Sequence, residues 1–133
     1  MKQEEKDLLF QDLCSRLPYN PMVEYKGETY NVLGITFGRL VLCKPFMSCT
    51  LNEHPLVEEV KPYLFPMPNK DEDEEYNKFL DELVEIELKV ISGELEREHS
   101  FEFEMKYYHN NHIDYRGLIP MGLAIDATGL NIY

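Results

Sequence analysis

The sequence predicts a single α+β domain over residues 1–133. It comprises an N-terminal helix, a small antiparallel three-stranded sheet, two C-terminal helices and an irregular C-terminal segment pinned to the rest. Three observations predict it. Apolar residues recur at helical spacing in residues 3–17 and again from Tyr76 onward. Between them, from Met22 to Lys44, short runs rich in Val, Ile, Leu and Tyr are punctuated by glycine, as in a meander of strands. After His112 the chain stays apolar but is broken by Gly117, Pro120 and Gly122, which excludes a long helix there. Its 133 residues suit one domain, and 44% hydrophobic content supplies a core without disulfide staples.

In residues 3–17, Leu9, Leu13 and Leu17 recur every four positions, with Phe10 and Cys14 beside them. Lys6, Gln11, Asp12, Ser15 and Arg16 fall largely opposite, which predicts a solvated polar face and a core role for Cys14. Pro18 ends the helix by disfavouring helical backbone at Leu17. Tyr19-Asn20-Pro21 is a turn into a strand over Met22–Lys26. Gly27-Glu28 makes a tight connection to a second strand over Thr29–Phe37, where Leu33, Ile35 and Phe37 share a face. Gly38 turns the chain into a third strand, Arg39–Lys44.

Residues 45–69 hold five of the eight prolines and read as a packed connection. Leu56–Lys61 would make a helical turn behind Pro55, and Tyr63, Leu64, Phe65 and Met67 require burial. Asn69 is placed to cap the next helix, with Glu72 at the capping-box position. Asp71, Glu72, Asp73, Glu74 and Glu75 then crowd its first turns, where the helix dipole favours negative charge. Tyr76, Phe79, Leu80, Leu83 and Ile86 form the stripe to be buried, and Gly93 is the stop. Val84, Ile86, Leu88 and Val90 also alternate as a strand would, but Glu, Leu and Lys dominate and favour helix to about Ile91. Residues 101–107 fit either period, with Ser100 a possible cap.

Charge and cysteine usage narrow the function. Twenty-five acidic residues against thirteen Lys and Arg give a net charge of −12. That disfavours direct nucleic-acid binding, which needs clustered cations. The acidity reads first as a device for solubility, and the sharper reading is a surface that docks on a basic partner or imitates nucleic acid. The three cysteines, Cys14, Cys43 and Cys49, have no C-x-x-C spacing, so reduced thiols in a cytoplasmic protein are expected. No apolar run approaches a membrane span, and the first residues do not read as a signal peptide. Neither G-x-S-x-G nor G-x-x-x-x-G-K-[ST] occurs.

The candidate site is the C-terminal block around His109, His112, Asp114, Tyr115 and Arg116. On a helix, positions 109 and 112 share a face, and Asp114 would add a third ligand for a metal-dependent hydrolase. The spacing differs from H-E-x-x-H and no matching further ligand is evident, so no metal and no cofactor is expected. The competing expectation is structural. Asp114 caps a turn with Ile113 and Leu118 packed across it, Tyr115 buries its ring, Arg116 pairs with a carboxylate of the acidic helix, and Gly117 supplies an unusual backbone shape. Tyr115 and Arg116 are also residue types that anchor interfaces.

Asp12-Leu13-Cys14-Ser15-Arg16-Leu17-Pro18-Tyr19 and His112-Ile113-Asp114-Tyr115-Arg116-Gly117-Leu118-Ile119 together resemble a family of small, uncharacterised acidic proteins from gut bacteria, their phages and mobile elements. That family carries a similar D-L-C-x-R-L-P-Y near its start and H-H-x-D-Y-R-G-L-I near its end. The resemblance implies a helix running into the second motif, which assigns residues 101–111 as helix. It implies no activity. Asn111 stands where the family often has an adjacent second histidine. The expected function is a non-enzymatic accessory protein of a bacterial or phage genome that binds another protein, with the metal-dependent hydrolase as the alternative.

Overall fold

A computed structural model describes residues 1–45 and 50–133; Cys49, expected as a reduced thiol, lies outside them. Helix α1 spans Gln3–Arg16, followed by strands β1 (Met22–Tyr25), β2 (Glu28–Thr36), β3 (Arg39–Cys43) and β4 (Lys61–Leu64). Helices α2 (Glu74–Ile91) and α3 (Arg97–Asn110) come next, and β5 is the short strand Ile125–Asp126. No helix among the described residues is long and apolar enough to cross a membrane.

The expected three-stranded meander is present, but it is part of a five-stranded mixed sheet in the order β3-β2-β1-β4-β5. Two strands went unread. Pro62 lies inside β4, where it pairs with Val23, and prolines spaced through 45–69 mask a four-residue strand. β5 is two residues long and pairs in parallel with β4 through Tyr63–Ile125 and Leu64–Asp126, a non-local pairing with no local signature. The expected helical turn at 56–61 is a short 3-10 turn over Val57–Glu59, and Met67 is exposed.

Both hairpin turns have positive φ at their two central residues: Lys26 and Gly27, then Phe37 and Gly38. That geometry matches the right-handed strand twist. The face expected for β2 is corrected. Tyr30 and Val32 are buried, whereas Leu33 and Phe37 are exposed. An irregularity between Val32 and Gly34 resets the alternation, so Ile35 again packs on the core, while Phe37 falls in the turn.

Helix α1 buries the expected Leu9 and Leu13, but its buried face extends to the other side of them. Leu9 and Leu13 are fully buried, but Cys14 is exposed and Asp12 and Arg16 are buried. Leu9, Asp12, Leu13 and Arg16 share one side at i, i+3, i+4 and i+7. Two of the four are charged, and the reason lies at the C-terminal end of the chain.

Helix α2 begins later than expected. Asp73 is its N-cap and accepts a 3.0 Å bond from the Tyr76 amide, a cap contributing about 1 kcal/mol. Asn69 instead closes a turn ahead of the helix by accepting from the Asp71 amide. The helix does run through Ile91, and Tyr76, Phe79 and Leu83 are its buried residues. Phe79 stacks on Tyr107 of α3, with ring centroids 3.9 Å apart and planes 9° from parallel, and lies 5.4 Å from Phe103. Helix α3 starts at Arg97, ahead of Ser100.

Three apolar clusters result. Leu9, Leu13, Val23, Val32, Leu40, Leu42 and Leu64 pack with Leu118, Leu123 and Ala124 from the C-terminal segment. Met22, Tyr63 and Ala127 form a smaller cluster; their strand neighbours Val23 and Leu64 point to the opposite face. Tyr76, Phe79, Leu83, Tyr108 and Ile113 hold the α2–α3 hairpin together at its base. Pinning of the C-terminal segment is as expected, although Ile119 and Ile125 are only half-buried. The chain leaves the sheet at Phe65 and returns beside it: the Phe65 amide donates to His112 O and the Asp114 amide to Phe65 O, both at 2.8 Å.

Candidate functional site

The last turn of α3 and the residues after it place the C-terminal block against α1. Helix α3 ends at Asn110, and His112 takes positive φ (54°), which turns the chain back toward the sheet. Asp114 is buried and accepts the Leu118 amide on Oδ1 and the Ile119 amide on Oδ2, each at 2.8 Å. It caps the turn as expected, and Gly117 in that turn has φ 75°. Ile113 and Leu118, however, belong to different apolar clusters and do not form the expected staple.

Arg116 does not pair with the acidic helix. Its Nε donates to Asp12 Oδ1 at 3.1 Å. Arg16 Nε donates to the other oxygen of the same carboxylate at 2.9 Å, and Arg16 Nη2 donates to Ile113 O at 2.7 Å. One carboxylate thus serves two guanidinium groups, and the Asp12 and Arg16 side chains are 0% and 1% exposed. Both guanidinium groups also approach the Tyr115 ring, at 5.1 and 5.0 Å from its centroid. The Tyr115 hydroxyl lies 2.9 Å from His109 Nε2, so its polar end is satisfied, as expected. His109 is buried beside Tyr19. Burial, reinforced by the positive charge of Arg16, lowers its pKa.

His112 faces elsewhere. Its ring stacks on Tyr133 with centroids 3.5 Å apart and planes 12° from parallel. Burial and then the nearby Arg16 charge lower its pKa from 6.5 to about 4. The sign follows directly. Above pH 6.5 the imidazole is neutral in both folded and unfolded chains, so it has no effect on stability. As the pH falls from 6.5 toward 4, the unfolded chain takes up a proton that the folded chain resists, and stability declines. Below 4 both forms are protonated and the loss levels off. The loss at full protonation is expected to be roughly 2–3 kcal/mol. Urea midpoints taken across pH 4–7 should fall with acidity, and the fall should shrink in His112→Asn, since asparagine tolerates positive φ. An unchanged pH slope in that variant would remove His112 as the cause.

The structure therefore brings His109, Tyr115 and Arg116 close together, with His109 bonded to Tyr115, Arg116 to Asp12 of α1, and the neighbouring Asp114 carboxylate to backbone amides. His109 and His112 no longer share a helix face. Among the described residues, no three His, Cys, Asp or Glu side chains are grouped to hold a metal ion. Addition of zinc or manganese is expected to leave the melting temperature unchanged, because a ligand specific to the native state must raise it. A rise that disappears in His112→Ala would revive the hydrolase alternative. Asp12 and Arg16 were missed, because a charged pair on an amphipathic helix normally faces water. The available signal was their presence in one of two distinctive stretches: residues 12–19 and 112–119 meet in space.

The acidic stretch is positioned differently. Asp71, Glu72, Glu74 and Glu75 are exposed, while Asp73 is half-buried in its capping role. Residues 69–111 carry fourteen carboxylates against five Lys and Arg, and hence nine of the chain's twelve net negative charges. Between α2 and α3 runs a groove of about 510 Å³ lined by Phe79, Phe103, Tyr107, Lys78, Glu82 and Lys106. Val84, Leu88, Ile91 and Phe101 of the same hairpin are exposed at 52%, 59%, 82% and 63%. No family model, curated protein or solved structure matches the chain.

Proposed function

We propose that the protein is a non-enzymatic interaction protein, an accessory factor of a bacterial or phage genome, whose partner is another protein with a basic surface. One observation carries this reading. Nine of twelve net negative charges lie in residues 69–111, the α2–α3 hairpin and the turn that leads into it, and the hairpin also exposes four large apolar side chains. A charge surplus serving solubility alone would be spread over the whole surface. Concentrated on one helical pair, it steers a cationic partner and repels phosphate backbones. Tyr115 and Arg116, the other candidate anchors, are committed to contacts with His109 and Asp12.

The test is affinity capture from the native host with wild-type protein and with Glu82, Glu85 and Glu87 reversed to Lys. These three are exposed and clear of the Asp73 cap. Capture should fall with charge reversal and with rising salt, because exposed charges are screened. Capture indifferent to both rules the hairpin out as the binding surface.

A further inference from the structure

We infer that Val84, Leu88, Ile91 and Phe101 form the seat for a basic amphipathic helix of the partner. The inference rests on the interaction reading above and specifies what that surface takes. Helix α2 has two apolar stripes. Tyr76, Phe79 and Leu83 are buried at the hairpin base. Val84, Leu88 and Ile91 stand at i, i+4 and i+7 on another face, continuing a line from half-buried Leu80. That spacing is the one by which helices read helices in grooves. Ile91 lines a depression with Arg97 and Ser100 of α3, and Phe101 follows one turn after Arg97. That depression joins the end of the exposed stripe to the first turn of α3, next to Phe101 in the sequence.

Charge selects the occupant. Asp81, Glu85 and Glu87 flank the stripe on α2, and Glu98 and Glu102 neighbour Phe101 on α3; acidic residues outnumber the two helices' cations, Lys78, Lys89, Arg97 and Lys106. A second copy would set one 69–111 stretch of net charge −9 against another. An anionic membrane surface would be repelled in the same way. A helix with an apolar face edged by Lys or Arg matches both the side chains and the rim.

The probe is a synthetic helix of about 18 residues made only of Leu and Lys in amphipathic order, with a scrambled peptide of the same composition as control. Both are titrated by fluorescence anisotropy against the full chain. Wild type should bind the amphipathic peptide about tenfold more tightly than the scrambled one. Leu88→Ser/Ile91→Ser, which changes no charge at exposed positions, should erase that difference. A photo-crosslinker in the amphipathic peptide should label α2 between 84 and 91. Equal binding of the two peptides would overturn the apolar seat while leaving the acidic hairpin as a binding surface. Binding of neither peptide would also overturn it, and the capture experiment then decides the interaction reading separately. Sedimentation showing a wild-type dimer that Leu88→Ser/Ile91→Ser dissolves would overturn it in favour of a second copy.

Discussion

Replacing Asp12 by alanine is expected to cost about 3–5 kcal/mol, because it strands buried positive charge rather than merely deleting a bond. Asp12 is the carboxylate shared by Arg16 and Arg116. Arg116 is partly exposed and can turn to water, but the Arg16 side chain is 1% exposed and cannot. Arg16 Nη1 already has no hydrogen-bond partner among the described residues, so the guanidinium has little left to hold it. Domains of this size are stable by roughly 5–15 kcal/mol, so the variant should lose a large part of its stability. The measurement is the urea midpoint at constant m-value. Asp12→Leu combined with Arg16→Met should recover most of the loss, since apolar groups of similar volume replace buried ion pairs well. The Ile113 carbonyl would retain the Tyr115 amide as a donor. A single variant as stable as wild type, or a double variant no better than Asp12→Ala, would show that the charge pairing is not what holds α1 to the C-terminal segment.

Removing residues 113–133 is expected to abolish cooperative unfolding altogether. The deletion takes Leu118, Leu123 and Ala124 from the main cluster, Ile113 from the hairpin base and Ala127 from the third cluster. It also removes β5, the acceptor for Arg16 Nη2 and the Tyr133 hydroxyl, which donates to Tyr63 O and accepts from the Met22 amide. Truncation of one buried Leu or Ile to Ala costs about 2–5 kcal/mol, so losing three with their backbone exceeds the usual stability of a domain. The truncated chain should bind a hydrophobic dye and lack near-ultraviolet circular dichroism while keeping helical far-ultraviolet signal. Melting as cooperative as wild type would refute the structural role of the segment.

What could be read in advance followed local rules. The first three strands were legible from β-branched residues and glycine turns, and α2 from its apolar spacing. The Asp114 cap and the Tyr115 environment were also legible, because a cap acts within four or five residues. The rest depended on contacts between distant segments. Asp12 pairs with Arg116 across 104 positions, and nothing nearby marks Asp12 as buried. β4 and β5 become strands only by pairing with each other and with β1. In β2, one irregular residue inverted the face of everything after it, an error that alternation cannot reveal.

The close return of the chain at Phe65 and Ile113 makes the acidic hairpin a detour rather than a link. Phe65 and Ile113 form a parallel bridge flanked by two hydrogen bonds, so the entry and exit of a long excursion stand side by side. The sheet, α1 and the C-terminal segment join without it. Such a geometry permits transplantation: the outer part of the stretch between these two residues can be exchanged for another helical pair, provided that the base contacts of Tyr108, His109 and His112 with Tyr115, Tyr19 and Tyr133 are kept. Variation in length or charge within the hairpin would then leave the sheet's register untouched. The hairpin is in this sense a head on a closed base, and its outer length and charge can vary with little consequence for folding.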